Sequence, residues 1–80
     1  MSIQLTIATL TSNKKYTINW LECQTTNGVL MILPGHAPLA CSLKKQSPIR
    51  FELSSGSIET ILLNEALMHV DRHTITIIGA

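Results

Sequence analysis

Few side chains in this sequence could perform acid–base, nucleophilic or metal chemistry: three histidines, five acidic residues and two cysteines. His69 and His73 lie close in sequence, but His73 falls in a predicted turn. A zinc or cupin-like site needs ligands that converge at a defined spacing. The pattern therefore predicts no metal site.

Nucleophilic catalysis needs a Cys or Ser beside a base that is itself held in orientation. Cys41 follows His36 by five residues, but no carboxylate lies between them to orient the imidazole. Neither of the glycine-rich phosphate-binding patterns, GxxxxGK[ST] and GxGxxG, is present. We therefore expect a non-catalytic chain without a cofactor, whose function is to bind a partner.

The composition of the 80 residues predicts one small domain, residues 1–80. Charged residues make up 14% of the chain, against roughly 25% in an ordinary soluble protein. Hydrophobic residues make up 45%, so some apolar surface is expected to meet a partner. The alternative is that serine and threonine supply the missing polarity.

Charge and apolar runs exclude several classes of protein. The net charge is +1 and the basic residues are scattered apart from two Lys-Lys pairs, which argues against a nucleic-acid partner. No apolar run approaches the ~18 residues of a membrane span. The N-terminus lacks the features of a signal peptide, so we expect a cytoplasmic chain. Cys23 and Cys41 are then expected to be reduced thiols in the core or at its margin.

Hydrophobic periodicity predicts an all-β fold. Apolar residues alternate with polar ones in several short segments, and turn signals recur every 8 to 12 residues, which is typical of a two-sheet, mostly antiparallel β-sandwich. The inward residues of these segments form the predicted core: Ile3, Leu5, Ile7, Ile49, Phe51, Leu53, Met68, Val70, Ile75 and Ile77. The segment Lys15–Cys23 loses its alternation around Trp20-Leu21, which indicates a bulge or a change of face. No segment has a sustained helical period.

The stretch from Asn27 to Leu43 is the most distinctive part of the sequence. Its apolar run enters a turn at Pro34-Gly35, and a second apolar stretch leaves after Pro38. The prolines fix φ at their own positions and push the preceding residues toward extended geometry. We therefore expect His36 to lie on a stiff, presented loop between two strands.

The segment ILPGHAPL, Ile32 to Leu39, resembles the signature loop of the epsilon subunit of F-type ATP synthase, in its N-terminal β-sandwich domain. From Glu59 onward, ETILLNEALMHVDRHTITIIGA is similar to the last strands of that domain, and SIQLTIATL fits its first strand. The resemblance covers nearly the whole chain and is weakest at Thr11 to Tyr16 and Lys44 to Pro48. It ends at Ala80, where typical members continue into two helices that carry regulatory inhibition and, in some members, ATP binding.

The resemblance implies a non-catalytic rotor subunit of the central stalk that packs on the gamma subunit and the c-ring. It would couple proton or sodium transport to ATP synthesis or hydrolysis. It would lie at the cytoplasmic face of the membrane, attached only through the complex, or free in the cytoplasm when unassembled. By analogy the residues that would face the c-ring are Val29, Met31, Pro34, Gly35 and His36. Ala40 and Cys41 would face gamma.

Two residue positions depart from the family pattern. Members usually carry a glutamate where this chain has Val29, so a contact with the ring would be apolar here. A Gly-Gly pair commonly stands where this chain has Glu65-Ala66, so the local backbone must differ from that of the family or avoid positive φ. The alternative function is a free-standing β-sandwich adaptor unconnected with ATP synthase.

Overall fold

The computed structural model describes residues 2–80, and these residues form eight β-strands in chain order. The strands are β1 Ile3–Ala8, β2 Asn13–Thr25, β3 Gly28–Ile32, β4 Leu39–Ser42, β5 Pro48–Leu53, β6 Ile58–Leu62, β7 Ala66–Val70 and β8 Thr74–Gly79. The predicted all-β, mostly antiparallel sandwich is confirmed. No helix occurs between residues 2 and 80, and that part of the chain accordingly has no helical segment able to span a membrane.

The strands form one continuous hydrogen-bonded sheet that folds into two layers. Their order is β4-β7-β8-β1-β2-β5-β6, with β3 beside β2. All neighbours are antiparallel except β1 and β8, which run parallel with Gln4 opposite Thr74. The long strand β2 belongs to both layers, because its first half pairs with β1 and its second half pairs with β3 and β5.

A bulge in β2 allows it to pass from one layer to the other. The register with β5 shifts between Ile18 and Trp20, at the place where the sequence pattern loses its alternation. Ile18 and Leu21 both point into the core, whereas Trp20 lies half-buried on the outer face. An extra residue on one strand bends it and increases its twist, which is what a strand shared by two layers requires. The predicted bulge is confirmed.

The inward side chains of both layers form one apolar core. Nine of the ten predicted core residues are buried, and Leu53 is half-buried against the margin of the core. Phe51 is completely buried, and its ring centroid lies 5.0 Å from that of Tyr16. Four further buried residues were not assigned to the core from the sequence: Ile18, Leu21, Ile32 and Leu43. Cys23 is also buried, in agreement with the expectation of a thiol in the core or at its margin.

The connection from β6 to β7 avoids positive φ, which is one of the two outcomes expected from the Glu65-Ala66 departure. Within residues 2–80 the only non-glycine residue with positive φ is Gln46. The Glu65 carbonyl instead accepts a hydrogen bond from the Ala80 N–H at 3.0 Å, and the Asn64 N–H donates to the Ala80 carbonyl at 2.8 Å. The segment is therefore tied to the end of β8.

Candidate partner-binding loop

The connection between β3 and β4, residues 33–38, is called the Pro-Gly-His loop below. It begins with a tight turn in which the His36 N–H donates to the Leu33 carbonyl at 3.1 Å. Pro34 occupies the second position of this turn, and Gly35 occupies the third position with φ of 84°. This arrangement is that of a type II turn, in which proline sets the first bend and glycine supplies the positive φ.

A tertiary hydrogen bond holds the Pro-Gly-His loop against the turn between β7 and β8. The Gly35 N–H donates to the Arg72 carbonyl at 2.9 Å. The His36 ring is half-exposed, and its Nδ1 lies 2.7 Å from the Ala37 carbonyl. Because a carbonyl can only accept, Nδ1 carries the proton, and Nε2 is left as the ring nitrogen available to a partner. The expected stiff, presented loop is thus accounted for by one turn hydrogen bond and one tertiary hydrogen bond.

The strand leading into the loop presents apolar side chains to solvent. Val29, Met31 and Leu33 are 66%, 44% and 55% exposed, while the alternate residue Ile32 is buried. Strand β3 is therefore apolar on both faces, and its outer face contributes nothing to the core. Gly35 is also exposed, and Pro34 is half-buried beneath the turn.

Charged residues lie beside the outer face of β3, on the neighbouring strands. Met31 is opposite Glu22 on β2, and Val29 is opposite Gln24. The Glu22 carboxylate accepts a hydrogen bond from Arg50 Nη1 at 2.9 Å, and the Arg50 guanidinium lies 5.9 Å from the centroid of the Trp20 ring. The charge of Glu22 is thus paired with Arg50 within the chain. The outer face of this layer therefore carries an ion pair, with the apolar side chains of β3 next to it.

The structure places Ala40 and Cys41 on opposite faces of β4. Ala40 is exposed opposite His69, whereas Cys41 is half-buried opposite Met68 and packs against the core. Only Ala40 lies on the outer face.

An open groove of about 570 Å³ separates the edges of β3 and β4, and its lining includes Leu30, Leu39 and Cys41.

Two apolar residues of the outer face of β7 and β8 were not singled out by the sequence pattern. Leu67 and Ile78 are directly opposite each other and both are exposed. Leu67 also pairs with Ser42 of β4, so this apolar pair continues the surface on which Ala40 lies. The available signal was that Leu67 and Ile78 occupy positions where alternation calls for polar residues.

The His, Cys, Asp and Glu side chains are dispersed over the described residues. Within residues 2–80 no three His, Cys, Asp or Glu side chains are grouped so that they could hold a metal ion. Both cysteines are free thiols; burial raises the pKa of Cys23 to about 12 and also raises the pKa of Cys41. Thiols that stay protonated are weak nucleophiles and weak metal ligands.

Comparison with known proteins agrees with this fold. The family model of the ATP synthase delta/epsilon chain β-sandwich domain matches residues 3–80. The ATP synthase epsilon chains of Acinetobacter baylyi and Acinetobacter baumannii strain AYE are each 34% identical over 62 residues, 78% of this chain. The chain spans 44% of the length of these relatives.

Solved structures show the same fold at lower sequence identity. A chain of the Euglena gracilis mitochondrial ATP synthase OSCP/F1/c-ring structure matches 98% of this chain and 50% of its own length, with a TM-score of 0.89 and 18% identity. A chain of the Tetrahymena thermophila mitochondrial ATP synthase central stalk/c-ring structure matches 99% of this chain and 63% of its own length, with a TM-score of 0.80 and 15% identity. Since the family model extends over all of the described strands, the chain belongs to the family of ATP synthase delta/epsilon chain β-sandwich domains.

Proposed function

We propose that this chain is a non-catalytic central-stalk subunit of an F-type ATP synthase, which packs on the gamma subunit and on the c-ring. Its role would be to couple proton or sodium transport to ATP synthesis or hydrolysis. Membership of the delta/epsilon family supports this proposal, as do the F1, central-stalk and c-ring assemblies in which its structural neighbours were solved.

The observation that carries the proposal is the construction of the Pro-Gly-His loop. Its backbone is fixed by the type II turn and by the hydrogen bond from Gly35 to Arg72, while Leu33 within it and Val29 and Met31 beside it are exposed to solvent. A subunit that transmits torque needs a contact surface that does not deform. We assign the c-ring contact to Val29, Met31, Pro34, Gly35 and His36.

The gamma contact is assigned to the outer face of β4, β7 and β8. Ala40 is exposed there, and Leu67 and Ile78 extend the apolar surface across the two neighbouring strands. Cys41 would support this contact from beneath, since its side chain packs against the core and not on the outer face. The two assigned surfaces lie in different layers, which suits a subunit held between two partners.

The proposal requires no chemistry from the chain itself. The thiols are held protonated by burial, and the metal-ligating residue types are dispersed over residues 2–80. Its membrane association would come only through the complex, at the cytoplasmic face, and the chain would be free in the cytoplasm before assembly. A free-standing adaptor would use the same loop, and reconstitution with ATP synthase partners distinguishes the two functions.

The test is reconstitution of the chain with the gamma subunit and c-ring of its own organism, followed by measurement of its incorporation into the rotor. Met31→Asp should weaken the ring contact, because it places an unpaired carboxylate in an apolar interface. Leu67→Asp should weaken binding to gamma for the same reason. Leu10→Asp is the matched control, because Leu10 is 98% exposed and lies in the β1–β2 turn, away from both assigned surfaces.

Binding of the wild-type chain should tolerate salt, since screening weakens exposed charge pairs far more than apolar contacts. Failure of the wild-type chain to join the rotor would overturn the proposed function. Normal incorporation of Met31→Asp would refute the assignment of the ring contact to β3. It would not affect the assignment of the gamma contact. Equal losses for Leu10→Asp and Met31→Asp would show that neither effect is specific to the assigned surface.

A further inference from the structure

Strand β6 is an edge strand, and it lies at the opposite edge of its layer from β3. The layer has the order β3-β2-β5-β6, and within residues 2–80 no strand pairs with the outer side of β6. Two of its five residues, Ile58 and Leu62, are 50% and 64% exposed on the outer face. Glu59 is its one charged residue, and no lysine or proline protects this edge. Apolar edges of this kind favour pairing with another strand.

The register between β5 and β6 shows which backbone groups of β6 point outward. Pro48 is opposite Leu62 and has no N–H, so this pair exchanges no hydrogen bonds. Hydrogen-bonded and non-hydrogen-bonded pairs alternate along an antiparallel ladder. Ile49–Ile61 and Phe51–Glu59 are therefore the hydrogen-bonded pairs, and the N–H and C=O groups of Ile58, Thr60 and Leu62 face outward.

These three outward residues are self-complementary about Thr60. If a second β6 approaches antiparallel with Thr60 opposite Thr60, then Ile58 of each copy is opposite Leu62 of the other. Every outward N–H and C=O group is then used, since each of the three pairs exchanges two hydrogen bonds. The outer face gains two aliphatic pairs, one on each side of a Thr–Thr pair, and such pairs are favourable cross-strand neighbours.

We propose that the free chain forms a two-fold symmetric dimer by antiparallel pairing of β6 with β6 of a second copy, centred on Thr60. A two-fold interface requires a surface that matches itself, and Ile58 and Leu62 provide one because they lie symmetrically on either side of Thr60. The net charge of +1 gives little repulsion between copies. The dimer leaves β3 and the Pro-Gly-His loop open, because they lie at the opposite edge of the layer. The inference is independent of the proposed rotor function.

Glu59 is the residue that keeps this association weak. It lies on the same side of the sheet as Phe51, and in the dimer it would be directly opposite Ile61 of the second copy. Because a five-residue edge also buries far less than a standard interface, the dissociation constant is expected on the order of 0.1 to 1 mM. Glu59→Thr should lower it several-fold by removing the charge and keeping a β-branched strand former.

The test is sedimentation equilibrium of the whole chain over a concentration series that spans this range. The apparent mass should rise from the 8.8 kDa monomer toward twice that value. Thr60→Pro should abolish the rise, because it removes an outward N–H and places the ring on the open edge. Proline is tolerated on an edge strand when its missing N–H faces solvent, so the fold is expected to survive. Thr60→Val is the matched control, since it keeps the N–H and the branched shape and should dimerise like the wild type.

A second variant and a second measurement cover the case in which Thr60→Pro does not fold. Leu62→Lys changes only an exposed side chain and should reduce dimerisation by at least tenfold. In the wild-type chain the amide protons of Ile58, Thr60 and Leu62 should become protected from exchange as concentration rises, while those of Glu59 and Ile61 are protected throughout. A monomer at all concentrations would overturn the proposal. So would a dimer that Leu62→Lys leaves intact, or exchange protection at a different edge.

Discussion

Two consecutive rows of side chains cross the layer β3-β2-β5-β6, one pointing inward and the next pointing outward. The inward row consists of Ile32, Leu21, Phe51 and Glu59, and the outward row consists of Met31, Glu22, Arg50 and Thr60. The inward row is buried until it reaches Glu59 at the edge. The outward row has an ion pair at its centre and uncharged residues at both ends. The same hydrogen-bonded ladder thus supports one row that stabilises the fold and one that is available for association.

Truncation of the inward row should have the largest effect. Phe51→Ala removes a completely buried ring that packs on Tyr16, and should lower the free energy of unfolding by about 3–5 kcal/mol. A domain of this size has little stability to spare, so the variant is expected to be partly unfolded at 25 °C. Urea titration followed by circular dichroism is the measurement. A loss under about 1 kcal/mol would mean that Phe51 contributes no more than an ordinary surface residue.

Alkaline pH should lower the free energy of unfolding through the buried thiol of Cys23. Burial is the largest cause that raises the pKa of Cys23 to about 12, from its ordinary value of 9.0. The folded state then holds a proton that the unfolded state releases above pH 9, so this contribution to stability is complete below pH 9 and is lost as pH rises toward 12. The slope approaches about 1.4 kcal/mol per pH unit within that window.

The matched control for the alkaline effect is Cys23→Ala, compared with the wild type by urea titration at several pH values from 8 to 11. Groups that do not interact with Cys23 contribute equally to both proteins, so their contributions cancel in the difference. The difference between the free energies of unfolding of the wild type and Cys23→Ala should become smaller as pH rises. A difference that stays constant with pH would mean that the folded environment of Cys23 does not favour the protonated thiol.

The outward row should be the most tolerant of substitution. Arg50→Ala removes the ion pair with Glu22 and the contact with Trp20, but the Arg50 and Glu22 side chains are 44% and 31% exposed. Exposed pairs contribute about 0.2–1 kcal/mol, and a cation–π contact at such a site adds a similar amount. A double-mutant cycle with Glu22→Gln isolates the ion pair. A coupling energy above about 2 kcal/mol would place this pair among buried ones and blur the distinction between the two rows.

The sequence predicted the strands and much of the core because alternation is explicit in β1, β5, β7 and β8. It missed Ile18 and Leu21 because the bulge in β2 interrupts the period between them. Ile32 was missed for another reason: β3 is apolar on both faces, so periodicity cannot separate its inner from its outer residues. The parallel pairing of β1 with β8 could not be predicted either, because local periodicity carries no information about which distant strands pair.

The candidate site was predicted in part. The turn at Pro34-Gly35 and its stiffness follow from residue types with strong backbone preferences. The sequence could not show that Arg72 holds the loop, because that hydrogen bond joins backbone atoms of segments far apart in the chain. Periodicity could not assign Cys41 to the inner face either, although its apolar context indicated a thiol in the core or at its margin. Strand β4 is only four residues long, and Leu39, Ala40 and Cys41 are all small or apolar.

The parallel pair of β1 and β8 has a consequence for how the chain folds during synthesis. Gln4 is opposite Thr74, so β1 finds one of its two neighbours only after β8 has been made. Until then the outer edge of β1 is unpaired, and β7 has only β4 beside it. Contacts between residues so distant in sequence carry a large loop-closure entropy, which slows folding. The layer β4-β7-β8-β1 is therefore expected to close last, after the antiparallel neighbours β2, β3, β5 and β6 have already paired.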